Sequence, residues 1–202
     1  MKYNPAGGQL WSQVYNGTGN WEDNVNAITV DDDGDVYVTG GSDEGATGRD
    51  MVTVKYTSSG AFAWKSAYSG LGQDDDDWGS YIAVDADGYV YVTGPSAGYS
   101  SSMWTDFATI KYSPGGDTIW MRRLGGPGMP NDRPTALAVD DFGCVYVTGY
   151  FEGDVSQRFN YATVRYRPNG DTAWVRIYNG TGSDDDGAHA YWQVPHRAYA
   201  CC

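Results

Sequence analysis

The residues best suited to chemistry are carboxylates in runs. Asp74, Asp75, Asp76 and Asp77 are consecutive, Asp184, Asp185 and Asp186 form a second run, and Glu22, Asp23 and Asp132 stand in other polar stretches. Calcium takes six to eight oxygens, so such runs invite a cation, although four adjacent side chains cannot all turn towards one ion and at most two would be ligands. Trp21, Trp78, Tyr99, Trp104 and Phe151 lie in the same kinds of stretch. Aromatic plates beside Asp23 and Asp132 would suit sugar rings, which stack on an aromatic face while their hydroxyls donate to carboxylate oxygens. The competing reading is a solvated acidic rim whose aromatics seal joints between elements. Paired carboxylates at the right separation would also suit glycoside hydrolysis, but no pair is singled out by spacing.

Other polar groups point elsewhere. Asp31-x-Asp33-Gly34 and Asp85-x-Asp87-Gly88 resemble the start of a calcium loop, but the distal bidentate Glu is missing and Phe142 replaces Asp in the third copy. Turn chemistry accounts for them better. Asn16-Gly17-Thr18 and Asn179-Gly180-Thr181 match the N-glycosylation pattern, so Asn16 and Asn179 become acceptors in a glycosylating host. His189, His196, Cys201 and Cys202 offer soft ligands without an established zinc spacing. No catalytic triad, phosphate loop or positioned nucleophile is visible.

The elements that would position these groups come from a repeat. Val36-Tyr37-Val38-Thr39-Gly40 returns as Val90-Tyr91-Val92-Thr93-Gly94 and Val145-Tyr146-Val147-Thr148-Gly149. A second word, Thr53-Val54-Lys55-Tyr56, returns as Thr109-Ile110-Lys111-Tyr112 and Thr163-Val164-Arg165-Tyr166, and its stub Lys2-Tyr3 opens the sequence. Each copy is followed eight residues later by a tryptophan: Trp11, Trp64, Trp120 and Trp174. Within a period, alternating apolar runs are separated by turns such as Asp32-Asp33-Gly34 and Ser58-Ser59-Gly60, which predicts four short antiparallel strands per repeat. The repeated tryptophans and Val-Tyr-Val words are expected to pack sheet on sheet as core.

Composition agrees. Eight Trp and 17 Tyr against four leucines (Leu10, Leu71, Leu124, Leu137) favour a pleated, half-buried surface over a helical bundle. The expected fold class is all-β. A net charge of −13 repels phosphate backbones and anionic lipid surfaces, so no nucleic acid is expected. No window approaches the roughly 18 apolar residues of a span, so no membrane insertion is expected. Three cysteines are too few for a disulfide framework.

Four antiparallel strands in a unit of 50-odd residues is the pattern of a β-propeller blade. The words "Ala-Ile-Ala-Val-Asp-x-x-Gly-x-Val-Tyr-Val-Thr-Gly" and "Thr-Val-Lys-Tyr-x-x-x-Gly-x-x-x-Trp" resemble the bacterial seven-bladed beta-propeller repeat family, over residues 1 to about 187. That resemblance implies a propeller in a secreted or cell-surface setting and no shared catalytic motif. Residues 1–24 are expected to supply the second half of a blade, with strands at Met1–Tyr3 and Gln9–Tyr15. Full blades are expected at 25–78, 79–132 and 133–187. Residues 188–202 lose both repeat words. They read either as a degenerate closing hairpin, within one chain or swapped into a neighbour, or as an unrelated end.

The variable stretches 41–50, 95–105 and 150–159, with the connections between blades, are expected to share one face. The functional expectation is a non-catalytic extracellular module for assembly or for binding protein or glycan, oligomerising through blade edges. The alternative is a glycan-active hydrolase or lyase using loop carboxylates. No cofactor is expected beyond a calcium ion that the acid runs would allow.

Overall fold

The computed structural model describes residues 1–19, 22–45, 48–70, 76–98, 101–126, 131–152 and 159–179, with residues 101–104 as backbone only. Those residues form an all-β structure of fourteen strands and contain no helix. A two-stranded sheet joins β1 (Lys2–Tyr3) to β2 (Gln9–Trp11). Three four-stranded antiparallel meanders follow in chain order. The first holds β3 (Asn24–Val30), β4 (Val36–Asp43), β5 (Arg49–Tyr56) and β6 (Phe62–Tyr68). The second holds β7 (Tyr81–Val84), β8 (Val90–Gly98), β9 (Ser101–Tyr112) and β10 (Thr118–Leu124). The third holds β11 (Arg133–Val139), β12 (Val145–Glu152), β13 (Phe159–Tyr166) and β14 (Thr172–Tyr178).

The repeat words fix the register. Thr39 faces Thr53, Thr93 faces Thr109, and Thr148 faces Thr163 across the central strand pair of each sheet. In each pair the first threonine's hydroxyl donates to a carbonyl of the facing strand, at 2.9 Å to Val52, 2.8 Å to Ala108 and 2.9 Å to Ala162. The hydroxyl thereby meets the hydrogen-bonding need that burial would otherwise leave costly. The last glycine of the word has a separate cause. A Cβ at Gly94 would stand 1.6 Å from the Trp78 carbonyl oxygen, so the connection entering β7 passes over bare backbone.

The apolar core lies between consecutive sheets. One cluster joins Tyr37 and Met51 of the first meander to Val90, Val92, Ala108, Ile110 and Tyr112 of the second. Another joins Tyr91, Phe107 and Trp120 of the second to Val145, Val147, Val164 and Tyr166 of the third. A smaller one sets Val52, Val54 and Tyr56 against Trp11 and Tyr15. Of the four repeated tryptophans, Trp120 is buried and Trp11, Trp64 and Trp174 are half-buried.

Two expectations change. β2 ends at Trp11 rather than Tyr15, because β1 has two residues and offers nothing to pair with residues 12–15. The stretches expected as long variable loops are strand in part: Gly41–Asp43, Pro95–Ala97 and Tyr150–Glu152 continue β4, β8 and β12 in register with their partners. Residues 180–202, including the expected closing hairpin, lie outside the described residues.

Candidate functional site

Each hairpin between the first and second strand of a meander is closed by its leading aspartate. Asp31 accepts from the backbone N–H groups of Asp33 (3.1 Å) and Asp35 (2.9 Å) and, on its other oxygen, from the Tyr37 hydroxyl at 2.8 Å. Asp85 repeats this with Asp87, Tyr89 and Tyr91. Asp140 does so with Phe142, Cys144 and Tyr146. The turn uses only the backbone of the third residue, which explains why Phe142 can replace an aspartate there. Burial, with the bond to Asp85, pushes the Tyr91 hydroxyl well above its ordinary pKa.

The connections between meanders carry a second repeated carboxylate. Asp77 is 1 % exposed and Asp132 is 0 % exposed. Asp132 accepts from Gly126 N–H (2.6 Å) on one oxygen and Glu152 N–H (2.8 Å) on the other. Asp77 accepts from Gly70 N–H (2.5 Å) and Ala97 N–H (3.1 Å). Asp23 accepts from Gly17 N–H (3.0 Å) and the Ser42 hydroxyl (2.5 Å). The backbone amides of Asp77 and Asp132 in turn donate to Arg49 and Thr105 carbonyls, each at 2.7 Å. Each of these aspartates therefore ties its own connection to the second strand of the following meander.

Burial raises the Asp132 carboxyl to about 6, the bonds from Gly126 and Glu152 offsetting it only in part. Burial likewise raises Asp77 against the bonds from Ser96, Gly70 and Ala97. Beside Asp77, the Arg123 guanidinium donates to the Ser96 hydroxyl (2.7 Å), to the carbonyls of Ser96 and Ala97 (both 3.0 Å) and to Asp106 (3.1 Å). Around Asp23, the Tyr15 hydroxyl donates to Glu44, which also pairs with Lys65 at 2.7 Å. Burial alone would raise Glu44, but its bonds to Lys65 and Tyr15 outweigh that and hold it low.

These placements separate the sequence candidates. Asp23, Asp77 and Asp132 occupy one equivalent position in three successive connections, and their oxygens face protein donors. Trp78 is half-buried between sheets, where its ring lies beneath the Arg49 guanidinium at 5.8 Å and would collide with a Cβ at Gly41. Phe151 is buried against Phe107, with ring centroids 5.0 Å apart. Asp76 is half-buried, and Asn16 and Asn179 are exposed. Trp21, Tyr99, Asp74, Asp75, Asp184, Asp185 and Asp186 lie outside the described residues, as does the side chain of Trp104. Among the described residues no group of three or more His, Cys, Asp or Glu is arranged to hold a metal ion.

The signal for the connecting aspartates was present in the sequence. Asp23, Asp77 and Asp132 follow one another at the 54- and 55-residue offsets of the Val-Tyr-Val-Thr-Gly word, each six or seven residues after a glycine. Asp186 and Gly180 keep the same register. Compared with known protein families and with curated proteins, the chain matches none.

Proposed function

We propose that this chain is a non-catalytic β-propeller module of the seven-bladed-repeat type, secreted or displayed at a cell surface, whose work is assembly with further copies of itself. The observation that carries the reading is the exposure of β3. Ile28 is 65 % and Val30 54 % exposed, whereas their counterparts Ile82 and Val84 pack against one core cluster and Leu137 and Val139 against another. A first strand in this fold is built to be covered by a preceding unit. Ile28 and Val30 stand two apart on one face of β3 and so leave that face apolar and open, the character of an interaction site.

The chemistry of the carboxylates supports the non-catalytic part. A general acid or nucleophile must reach a substrate, yet Asp77 and Asp132 are buried with both oxygens accepting backbone N–H bonds. The turn aspartates Asp31, Asp85 and Asp140 are engaged on both oxygens as well. Binding of protein or glycan on the face formed by the connections remains compatible with assembly. A calcium ion at the acid runs would be a supporting ligand rather than a reagent.

The test is incubation with a panel of polysaccharides, reading both binding and release of reducing ends. The reading predicts no release. Release that disappears on substituting Asp23 or Asp76 would replace it with a glycan-active enzyme.

A further inference from the structure

The joint between consecutive sheets has the same construction three times. The indole N–H of Trp11, Trp64 and Trp120 donates to the carbonyl of Ser58 (3.2 Å), Pro114 (2.9 Å) and Pro168 (3.0 Å), each in the last turn of the next unit. The ring lies flat on the glycine of that turn, since a Cβ at Gly60, Gly116 or Gly170 would stand 2.6, 2.7 or 2.7 Å from it. The tyrosine before the turn completes the seat: Tyr56, Tyr112 and Tyr166 lie 6.3, 6.2 and 5.8 Å from the ring and are 8 %, 1 % and 1 % exposed. Two residues after the tryptophan, Gln13 donates to the Gly60 carbonyl at 2.7 Å and Ser66 donates to that of Gly116.

Both halves of this joint occur a fourth time, apart. The seat is the Asn4–Gly8 turn, closed by Asn4 N–H to Gly8 O and Gly7 N–H to Asn4 O at 2.9 Å each, as Thr57 and Gly60 close theirs. Pro5 stands where Pro114 and Pro168 stand, and Gly7 has the same left-handed backbone (φ 82°). Yet a Cβ at Gly7 would meet nothing within 4 Å, and Tyr3 is 52 % exposed. The plug is β14. Trp174 faces its own Tyr146 and Arg176, and no described residue accepts its indole N–H. Arg176 takes the place of Gln13 and Ser66, and Tyr178 beyond it is 62 % exposed.

We infer that Trp174 of one chain docks on the Asn4–Gly8 turn of a second copy. The indole N–H donates to the Pro5 carbonyl, the ring covers Gly7 and Tyr3, and the Arg176 guanidinium donates to the Gly7 carbonyl. This deepens the self-assembly reading and rests on it. The two surfaces differ, so the contact is heterologous: it closes into a ring of copies or propagates as a filament. A desolvated tryptophan seated on glycine and capped by one hydrogen bond is the kind of anchor that dominates an interface.

The experiment blocks each half separately in the full chain. Trp174→Ala removes the plug and leaves the seat, while Tyr3→Arg spoils the seat and leaves the plug. Light scattering after size-exclusion chromatography should show self-association of the unaltered chain weakened roughly thirtyfold or more in each variant alone. An equimolar mixture of the two variants should recover a one-to-one dimer and nothing larger, which also shows that both are folded. Variants that associate like the unaltered chain, or a mixture that stays monomeric, would overturn the docking while leaving self-assembly through another surface. An unaltered chain that is monomeric at every concentration would overturn both.

Discussion

At the residue scale, six of the described aspartates form two structural sets: Asp31, Asp85 and Asp140 close hairpin turns, and Asp23, Asp77 and Asp132 tie down connections. Asp132 shows what that costs. Its carboxyl titrates near 6 in the folded chain against an ordinary 3.8, so the folded state binds the proton more tightly than the unfolded one. Stability supplied by that proton is complete below about 3.8 and is lost as pH rises through about 6. Relative to Asp132→Asn, the unaltered chain should therefore lose up to roughly 3 kcal/mol between pH 4 and pH 7.5, read from urea melts. Asp35 works in the opposite sense. Its hydrogen bond from Lys55 (2.9 Å) holds it low, so its contribution disappears only as pH falls below the ordinary carboxylate range. At pH 7.5, Asp132→Ala should still destabilise by about 1–3 kcal/mol, because the N–H groups of Gly126 and Glu152 lose their acceptor. A curve for Asp132→Asn parallel to that of the unaltered chain would contradict the assigned titration.

The element scale is where the sequence was most readable. Alternation, Asp-Gly turns and the returning words locate every strand of the three meanders, because hairpin turns and half-buried strands impose short-range patterns. What it hid was the far end of the second strands. Gly41-Ser42-Asp43 and Pro95-Ser96-Ala97 have the composition of loops, yet they stay paired with β5 and β9 and largely buried. That order comes partly from a distant residue, since Asp77 caps the amide of Ala97 from another connection. No local pattern carries such a contact; only the register of Asp23, Asp77 and Asp132 across repeats does. The turn glycines give a matched prediction. Gly116→Ala should cost about 3 kcal/mol, combining left-handed backbone strain with a collision on the Trp64 ring. Gly7→Ala, with a similar φ and no neighbour within 4 Å, should cost only about 1 kcal/mol in the monomer. Equal losses in thermal melts at high dilution would mean that the Trp64 seat contributes nothing.

At the scale of the whole molecule, a charge of −13 sets copies of the chain against one another, so any association must be driven by apolar surface. Raising sodium chloride from 20 to 200 mM shortens the Debye length from about 20 Å to about 7 Å and should strengthen self-association. Weakening with salt would instead point to charge pairing between copies. The ends of the described sheet stack have the character this requires: Ile28 and Val30 lie open on one side, and Tyr178 on the other. Sedimentation velocity of the unaltered 22.0 kDa chain over a concentration series tests the assembly claim most directly. The account predicts species at multiples of 22.0 kDa whose proportion grows with concentration. A single 22.0 kDa species throughout the series would contradict it.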